Sequence, residues 1–108
     1  MLLTMSMNYA NNSYHEDKIS IMAGNTVGND KSSSISASIK GHTLTIVFTE
    51  NLGQVEIEVS FIGGGEVETT SHHTPSGVII YIPYNGSYIV TFTLPNGDEY
   101  YGEFEVTD

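Results

Sequence analysis

The sequence predicts an all-β protein: a seven-stranded antiparallel sandwich over residues 35–108, preceded by a polar extension over residues 1–34. Three observations carry that reading. From Ile35 onward apolar and polar residues alternate with a period of two, the signature of strands with one buried face. Clusters of Gly, Asn, Pro and Ser interrupt the alternation roughly every 8 to 12 residues, the turn spacing of a sandwich or barrel. The chain has 108 residues, which suits one domain and leaves no room for a separate catalytic one.

The extension is rich in Asn, Ser and Gly. Met1–Met7 is apolar but lacks the basic start and the length of a signal peptide, and reads as a remnant of one or as an expression start. Lys18–Met22 is a candidate strand, and Gly24–Ser34 has a linker's composition, so partial order is expected there. The sandwich then begins. Ile35, Ala37 and Ile39 form the first inward row, and Leu44, Ile46 and Phe48 the second. Val55, Ile57, Val59 and Phe61 form the third, with Glu56 and Glu58 facing water.

Gly63, Gly64 and Gly65 supply the positive φ of a tight reversal into a weaker strand, with Val67 and Thr69 inward and Glu66 and Glu68 outward. A polar loop (Ser71–Ser76) follows. Val78–Ile82 is apolar on both faces, so Ile79 and Tyr81 are either covered or exposed for use. Tyr88, Val90, Phe92 and Leu94 face the core from the sixth strand, and Tyr100, Gly102, Phe104 and Val106 from the seventh.

The turn between those last two strands fixes their register. A two-residue Asn96-Gly97 loop would pair Phe92 with Tyr101 and Val90 with Glu103, placing acids on the core face. A three-residue loop of Pro95, Asn96 and Gly97, a type I turn closed by a left-handed glycine, pairs Phe92 with Tyr100 and Tyr88 with Phe104. Proline suits its first position and glycine its last.

Charge narrows the partners. Thirteen acids against three lysines give a net charge of −10, which repels nucleic acid and anionic membranes. The absence of cysteine excludes disulfides, thiolate metal sites and a thiol nucleophile. No apolar run approaches the ~20 residues of a membrane span.

The segment Gly86-Ser87-Tyr88-Ile89-Val90 resembles the approach to the sixth strand of immunoglobulin-like domains, where a Gly-x-Tyr precedes a core position by two residues. Val90 stands where antibody domains have cysteine, and Tyr88 would be the corner tyrosine bonded to nearby backbone. The fold expected is therefore immunoglobulin-like, of the fibronectin-III-like kind.

A wider pattern runs through Gly41-His42-Thr43-Leu44-Thr45-Ile46-Val47-Phe48, Val55-Glu56-Ile57-Glu58-Val59, Gly86–Val90 and Tyr101-Gly102-Glu103-Phe104-Glu105-Val106. It resembles a family of small exported Bacteroidetes proteins known as domain of unknown function 3244. The resemblance implies an immunoglobulin-like sandwich and export to the periplasm or cell surface. It carries over no functional residue.

Candidate chemistry is sparse. His72 and His73, beside Glu66 and Glu68, are the most ligand-like residues, but neighbours on a strand point to opposite faces and solvated loop histidines are expected. His15 and His42 are isolated and read the same way. Glu56, Glu58, Glu103 and Glu105 should share the outer face of one sheet, adjoined by Glu66 and Glu68, as a solvated acidic wall; no loop resembles a calcium cradle. Paired carboxylates can serve a glycosidase, yet these lie on a flat strand surface without a cleft, and no nucleophile elbow, phosphate loop or zinc-protease motif occurs. No enzyme activity and no cofactor are expected.

Tyr81, Tyr84 and Tyr101 fall outside the predicted core, and tyrosine is enriched at binding surfaces; the structural alternative packs Tyr81 on Ile79 or Ile89. The ligand surface expected is drawn from Tyr81, Tyr84, Tyr101, Glu56, Glu58 and Glu103. The functional expectation is a non-catalytic exported binding or adhesion module for a protein or glycan of the cell envelope. Its rivals are a spacer or assembly unit that self-associates through sheet edges or the N-terminal segment, and a small glycan or calcium binder.

Overall fold

The structure, a computed structural model, describes residues 16–108. Met1–Met7 and His15 lie outside the described residues. The described chain runs β1 (Glu16–Ile19), β2 (Met22–Ala23), a short 3-10 turn (Ser32–Ser34), β3 (Ile35–Lys40), β4 (Thr43–Phe48), β5 (Gln54–Phe61), β6 (Glu66–His73), β7 (Gly77–Tyr81), β8 (Gly86–Thr93) and β9 (Glu99–Val106). Every pairing is antiparallel. One sheet has the order β1-β3-β4-β7 and the other β2-β9-β8-β5-β6.

The seven strands expected after Ile35 are all present, three in one sheet and four in the other, which is the fibronectin-III-like division. The extension adds one strand to an outer edge of each sheet, giving nine among the described residues.

Alternation places the core where the sequence assigns it. Ile35, Ala37, Ile39, Leu44, Ile46 and Phe48 from one sheet meet Val55, Ile57, Val59, Tyr88, Val90, Phe92, Tyr100, Phe104 and Val106 from the other, all buried. Each large apolar side chain so buried contributes about 1.5–3 kcal/mol of transfer free energy. Rings organise two regions of this layer. Phe48 meets Phe92 edge-on at 5.9 Å, while Tyr88 stacks between Phe61 and Phe104 at 4.8 and 5.4 Å.

The β8–β9 turn has the three-residue form. Leu94 and Asp98 close it through the Leu94 N–H on the Asp98 carbonyl (2.9 Å) and the Gly97 N–H on the Leu94 carbonyl (2.9 Å). Gly97 takes φ +93°. Phe92 pairs with Tyr100 and Tyr88 with Phe104, and Tyr88 donates its hydroxyl hydrogen to the Tyr84 carbonyl as a corner tyrosine.

The expected strand over 18–22 and loose linker over 24–34 are corrected. Instead of one strand, the chain makes two and crosses between the sheets. β1 pairs with β3 through Ile19↔Ala37, and β2 pairs with β9 through Met22↔Tyr101. Ile19 is buried in the core and Ile21 packs against it. The crossing is a close approach over Gly102: a Cβ there would lie 2.6 Å from Ile19 Cγ2 and 2.9 Å from the Ser20 carbonyl oxygen.

Beyond β2 the segment is pinned by groups of the β8–β9 hairpin. The Gly24 N–H donates to the Glu99 carbonyl and the Glu99 N–H to the Asn25 carbonyl. The Val27 N–H donates to the buried Asp98 carboxylate (2.9 Å), and the Lys31 N–H to the hydroxyl of fully buried Tyr100 (2.8 Å). Lys31 also pairs with Glu50 at 3.0 Å. Ser34 and Lys31 together hold the Glu50 carboxyl below its usual range. Linker-like composition is overridden here because hydrogen bonds from partners distant in sequence satisfy its backbone.

A second correction concerns β6. A bulge between Val59 and Ser60 shifts the pairing, so that Ser60 faces Glu66 while Val59 faces Glu68. Thr69 is thereby paired with Glu58 on the outer face and Glu68 falls on the side of Val59, the reverse of the alternation expected. The strand also continues through His73, so the expected polar loop shortens to the residues around the cis Thr74-Pro75 bond.

Gly102→Ala is expected to destabilise the fold by about 1–3 kcal/mol, because the added methyl must displace the crossing of Ile19 and Ser20. Urea denaturation of the two proteins measures this. An unchanged midpoint would contradict the close approach.

Candidate functional site

The two outer faces differ in kind. On the five-stranded sheet, β9 contributes Glu99, Glu103 and Glu105, β5 contributes Glu56 and Glu58, and β6 contributes Glu66, all exposed. β8 lies between β5 and β9, so carboxylates on those two strands stand about 9–10 Å apart across the sheet. Calcium draws its oxygens to 2.3–2.6 Å. Among the described residues no three acidic or histidine side chains converge on one point.

The glutamates are tied to hydroxyls instead: Ser71 donates to Glu56, Ser60 to Glu58, Thr69 to Glu66 and Ser87 to Glu105. A small groove on this side is lined by Lys18, Ser20, Met22, Tyr101 and Glu103. It holds a single carboxylate, where glycoside hydrolysis needs two.

The four-stranded sheet presents three short rows outward. Paired positions give Glu16-Lys40-Thr43-Tyr81, then Lys18-Ser38-Thr45-Ile79, then Ser36-Val47-Gly77. Ile79 and Tyr81 are 70% and 67% exposed, and Val47 is exposed beside them. An open groove of about 620 Å³ runs along the first row, lined by Glu16, Lys40, Gly41, His42, Thr43, Thr45 and Tyr81.

His42 shapes that groove. It sits in the two-residue turn joining β3 to β4, where Gly41 takes φ +60°. Its Nδ1 meets the Ile82 carbonyl at 2.6 Å and its Nε2 meets Asp108 Oδ1 at 2.7 Å. Both partners accept and neither donates, so the imidazolium, with an N–H on each nitrogen, matches the site. Asp108 chiefly, then the Ile82 carbonyl, holds the His42 pKa above its ordinary 6.5. His42, then Asn85, holds Asp108 below its ordinary 3.8. The fixed ring stacks with Tyr81 at 5.8 Å and 24°.

The six residues expected to form one ligand surface are separated. Tyr81 stands on the four-stranded face, and Tyr84 is exposed in the β7–β8 connection. Tyr101, Glu56, Glu58 and Glu103 are on the opposite, acidic face, with Tyr101 half-buried beside Met22 and Gly24. Tyr81 stacks on His42, and Ile89 belongs to the other sheet.

His72 and His73 point to opposite faces. His72 accepts or donates at Ser76 Oγ (2.8 Å) and stacks on Phe48, while His73 is exposed. Glu68 is four residues along the strand from His72, about 13 Å, so the mixed set of ligands is not assembled. His42 is the residue that sequence reasoning missed: it is clamped, and its partners Ile82 and Asp108 lie forty or more positions away.

Comparison with known proteins bears on the fold. The chain is similar to a crystal structure of a domain of unknown function 3244 family protein from Bacteroides vulgatus, described as an immunoglobulin-like β-sandwich. The TM-score is 0.73 at 14% sequence identity, covering 86% of this chain and 100% of that one. No family model matches the sequence, and no curated protein matches it. No helix among the described residues is long and apolar enough to cross a membrane.

The His42–Asp108 clamp sets a pH dependence. A raised histidine contributes stability fully present below about 6.5 and lost as pH rises through its folded-state value. A depressed aspartate contributes stability present above about 3.8 and lost as pH falls through its own. The clamp is therefore strongest between those limits. In an NMR titration the His42 ring should show a midpoint above 6.5 that falls in Asp108→Asn, and a midpoint indifferent to that substitution would contradict the clamp.

Proposed function

We propose that the chain is a non-catalytic binding module of the cell envelope, outside the cytoplasm, whose contact surface is the outer face of the four-stranded sheet around Tyr81. The observation that carries this reading is the contrast between the two faces. One carries six glutamates, four of them held in local hydrogen bonds; the other exposes Val47, Ile79 and Tyr81 beside a groove, with Glu16, Lys18 and Lys40 as its charges. Exposed apolar area rimmed by polar groups is the surface that contacts use. The acidic face favours solubility and resists adhesion between copies. Placement at the envelope rests on the resemblance to exported proteins noted from the sequence.

Retention of envelope components on immobilised protein tests the reading. Tyr81→Ala with Ile79→Ser should abolish retention of a component that the unaltered chain holds, whereas Glu56→Gln with Glu58→Gln should leave it. Retention lost only with the glutamate pair would move the contact to the acidic face and contradict the proposal.

The groove also favours a narrower form of this reading, a neutral glycan. Tyr81 offers a flat apolar ring fixed against His42, and Lys40, Glu16, Thr43 and Thr45 offer donors and acceptors beside it. A neutral oligosaccharide that binds there should raise Tm in proportion to its occupancy, and not in Tyr81→Ala. A flat response across a panel at millimolar concentration would leave the face to protein partners.

A further inference from the structure

Sheet edges expose unpaired backbone groups, and folded proteins protect them with charge, proline, bulges or shortness. Three of the four edges here are protected. β1 carries Glu16, Asp17 and Lys18; β2 is two residues long; β6 carries Glu66 and Glu68, is paired across a bulge and runs into Pro75. β7 has neither charge nor bulge, and its prolines, Pro75 and Pro83, lie outside the strand. No charged residue occurs between His73 and Asp98, and β7 itself reads Gly-Val-Ile-Ile-Tyr.

The phase of its ladder is fixed by two bonds, the Ile82 N–H on the His42 carbonyl (2.8 Å) and the Phe48 N–H on the Ser76 carbonyl (3.0 Å). In an antiparallel pair, alternate residues turn both backbone groups toward the partner. Ser76, Val78, Ile80 and Ile82 therefore face β4, while Gly77, Ile79 and Tyr81 turn their N–H and C=O outward, where no described strand pairs with them.

We infer that this edge pairs with β7 of a second copy of the chain, antiparallel and with the two-fold axis at Ile79. The sequence around that axis is self-complementary. Ile79 meets the partner's Ile79. Tyr81 falls opposite the partner's Gly77, which has no side chain to oppose the ring, a cross-strand arrangement in which the aromatic covers the glycine. Pro75 and Pro83 stand at equal distances on either side and, having no N–H, end the ladder at both limits. Other registers would oppose Tyr81 to a branched residue or a proline to a ladder donor.

Charge permits the joint. Each copy carries −10, but the six outward glutamates are on the other sheet, and the rows meeting at the joint are uncharged for two strands on either side. The product is a continuous eight-stranded sheet whose outer face carries two Tyr81 grooves. A ladder of this length is short of the area of a permanent dimer, so the association is concentration-dependent.

The absence of cysteine allows a direct test with the full chain. In an antiparallel pair of this kind the two Cα atoms at position 79 lie about 5.5 Å apart, within disulfide range. Ile79→Cys should oxidise to a covalent dimer much faster than Ile62→Cys, an exposed control in the β5–β6 turn. In sedimentation velocity, the unaltered chain should shift from monomer toward dimer mass as concentration rises. Ile79→Lys, with an unchanged Tm, should remain monomeric. Cross-linking no faster than the control, or dimerisation that survives Ile79→Lys, would overturn the inference. A chain that stays monomeric while β7 captures an extended peptide would assign the edge to a foreign strand and overturn it as well.

Discussion

The three-residue turn at Pro95–Gly97 sets the register of β8 against β9, and that register governs most of what surrounds it. Period-two geometry means that a shift of one residue would exchange every inward and outward side chain of β9. With the observed register, Tyr100, Gly102, Phe104 and Val106 face the core, and Glu99, Glu103 and Glu105 face water. The inward set does more than pack. Gly102 leaves the gap through which Ile19 and Ser20 cross between the sheets, and Tyr100 carries the hydroxyl that receives the Lys31 N–H. Asp98, the residue that closes the turn, receives the Val27 N–H. The hairpin thus orders the core and the extension together.

The same alternation divides the molecule's surface. Acids are concentrated on the outer face of one sheet, where hydroxyl neighbours and open water stabilise them singly. The other sheet keeps its few charges toward β1 and β3 and leaves β7 apolar on its outer side and unprotected at its edge. A protein of such net charge avoids indiscriminate adhesion through the first face, while the second is available for a contact that excludes charge. The His42 clamp lies at the boundary of that second face. By tying the β3–β4 turn to Ile82 and Asp108, it holds a ring against Tyr81 that would otherwise sample several rotamers.

Most of the sandwich was legible because its signals are local. Alternation located the inward rows of β3, β4, β5, β8 and β9, and turn chemistry chose between two registers of the last hairpin. The corner tyrosine followed from three adjacent residues. What was hidden has non-local causes. The order of residues 24–31 depends on Asp98 and Tyr100, some seventy positions away, and nothing in a Gly-, Asn- and Ser-rich segment reports those acceptors. The bulge opposite Val59 and Ser60 inverted Glu68 and Thr69 because one extra residue leaves composition untouched while reversing the face. The candidate ligand residues were grouped by type, and the topology then placed Tyr81 on one sheet and Tyr101 and the glutamates on the other. His42 looked isolated because its partners are a backbone carbonyl and a residue 66 positions on.

The claim joining these observations is that one hairpin register builds the core and fastens the extension as part of the same domain. Amide hydrogen exchange at Val27 and Lys31 tests it most directly, since their acceptors are side chains of that hairpin. The account predicts protection at both amides that is lost together with that of Glu99, whose own N–H bonds to Asn25. Exchange at the rate of an unstructured peptide for Val27 and Lys31, with the amides of β8 still protected, would contradict it.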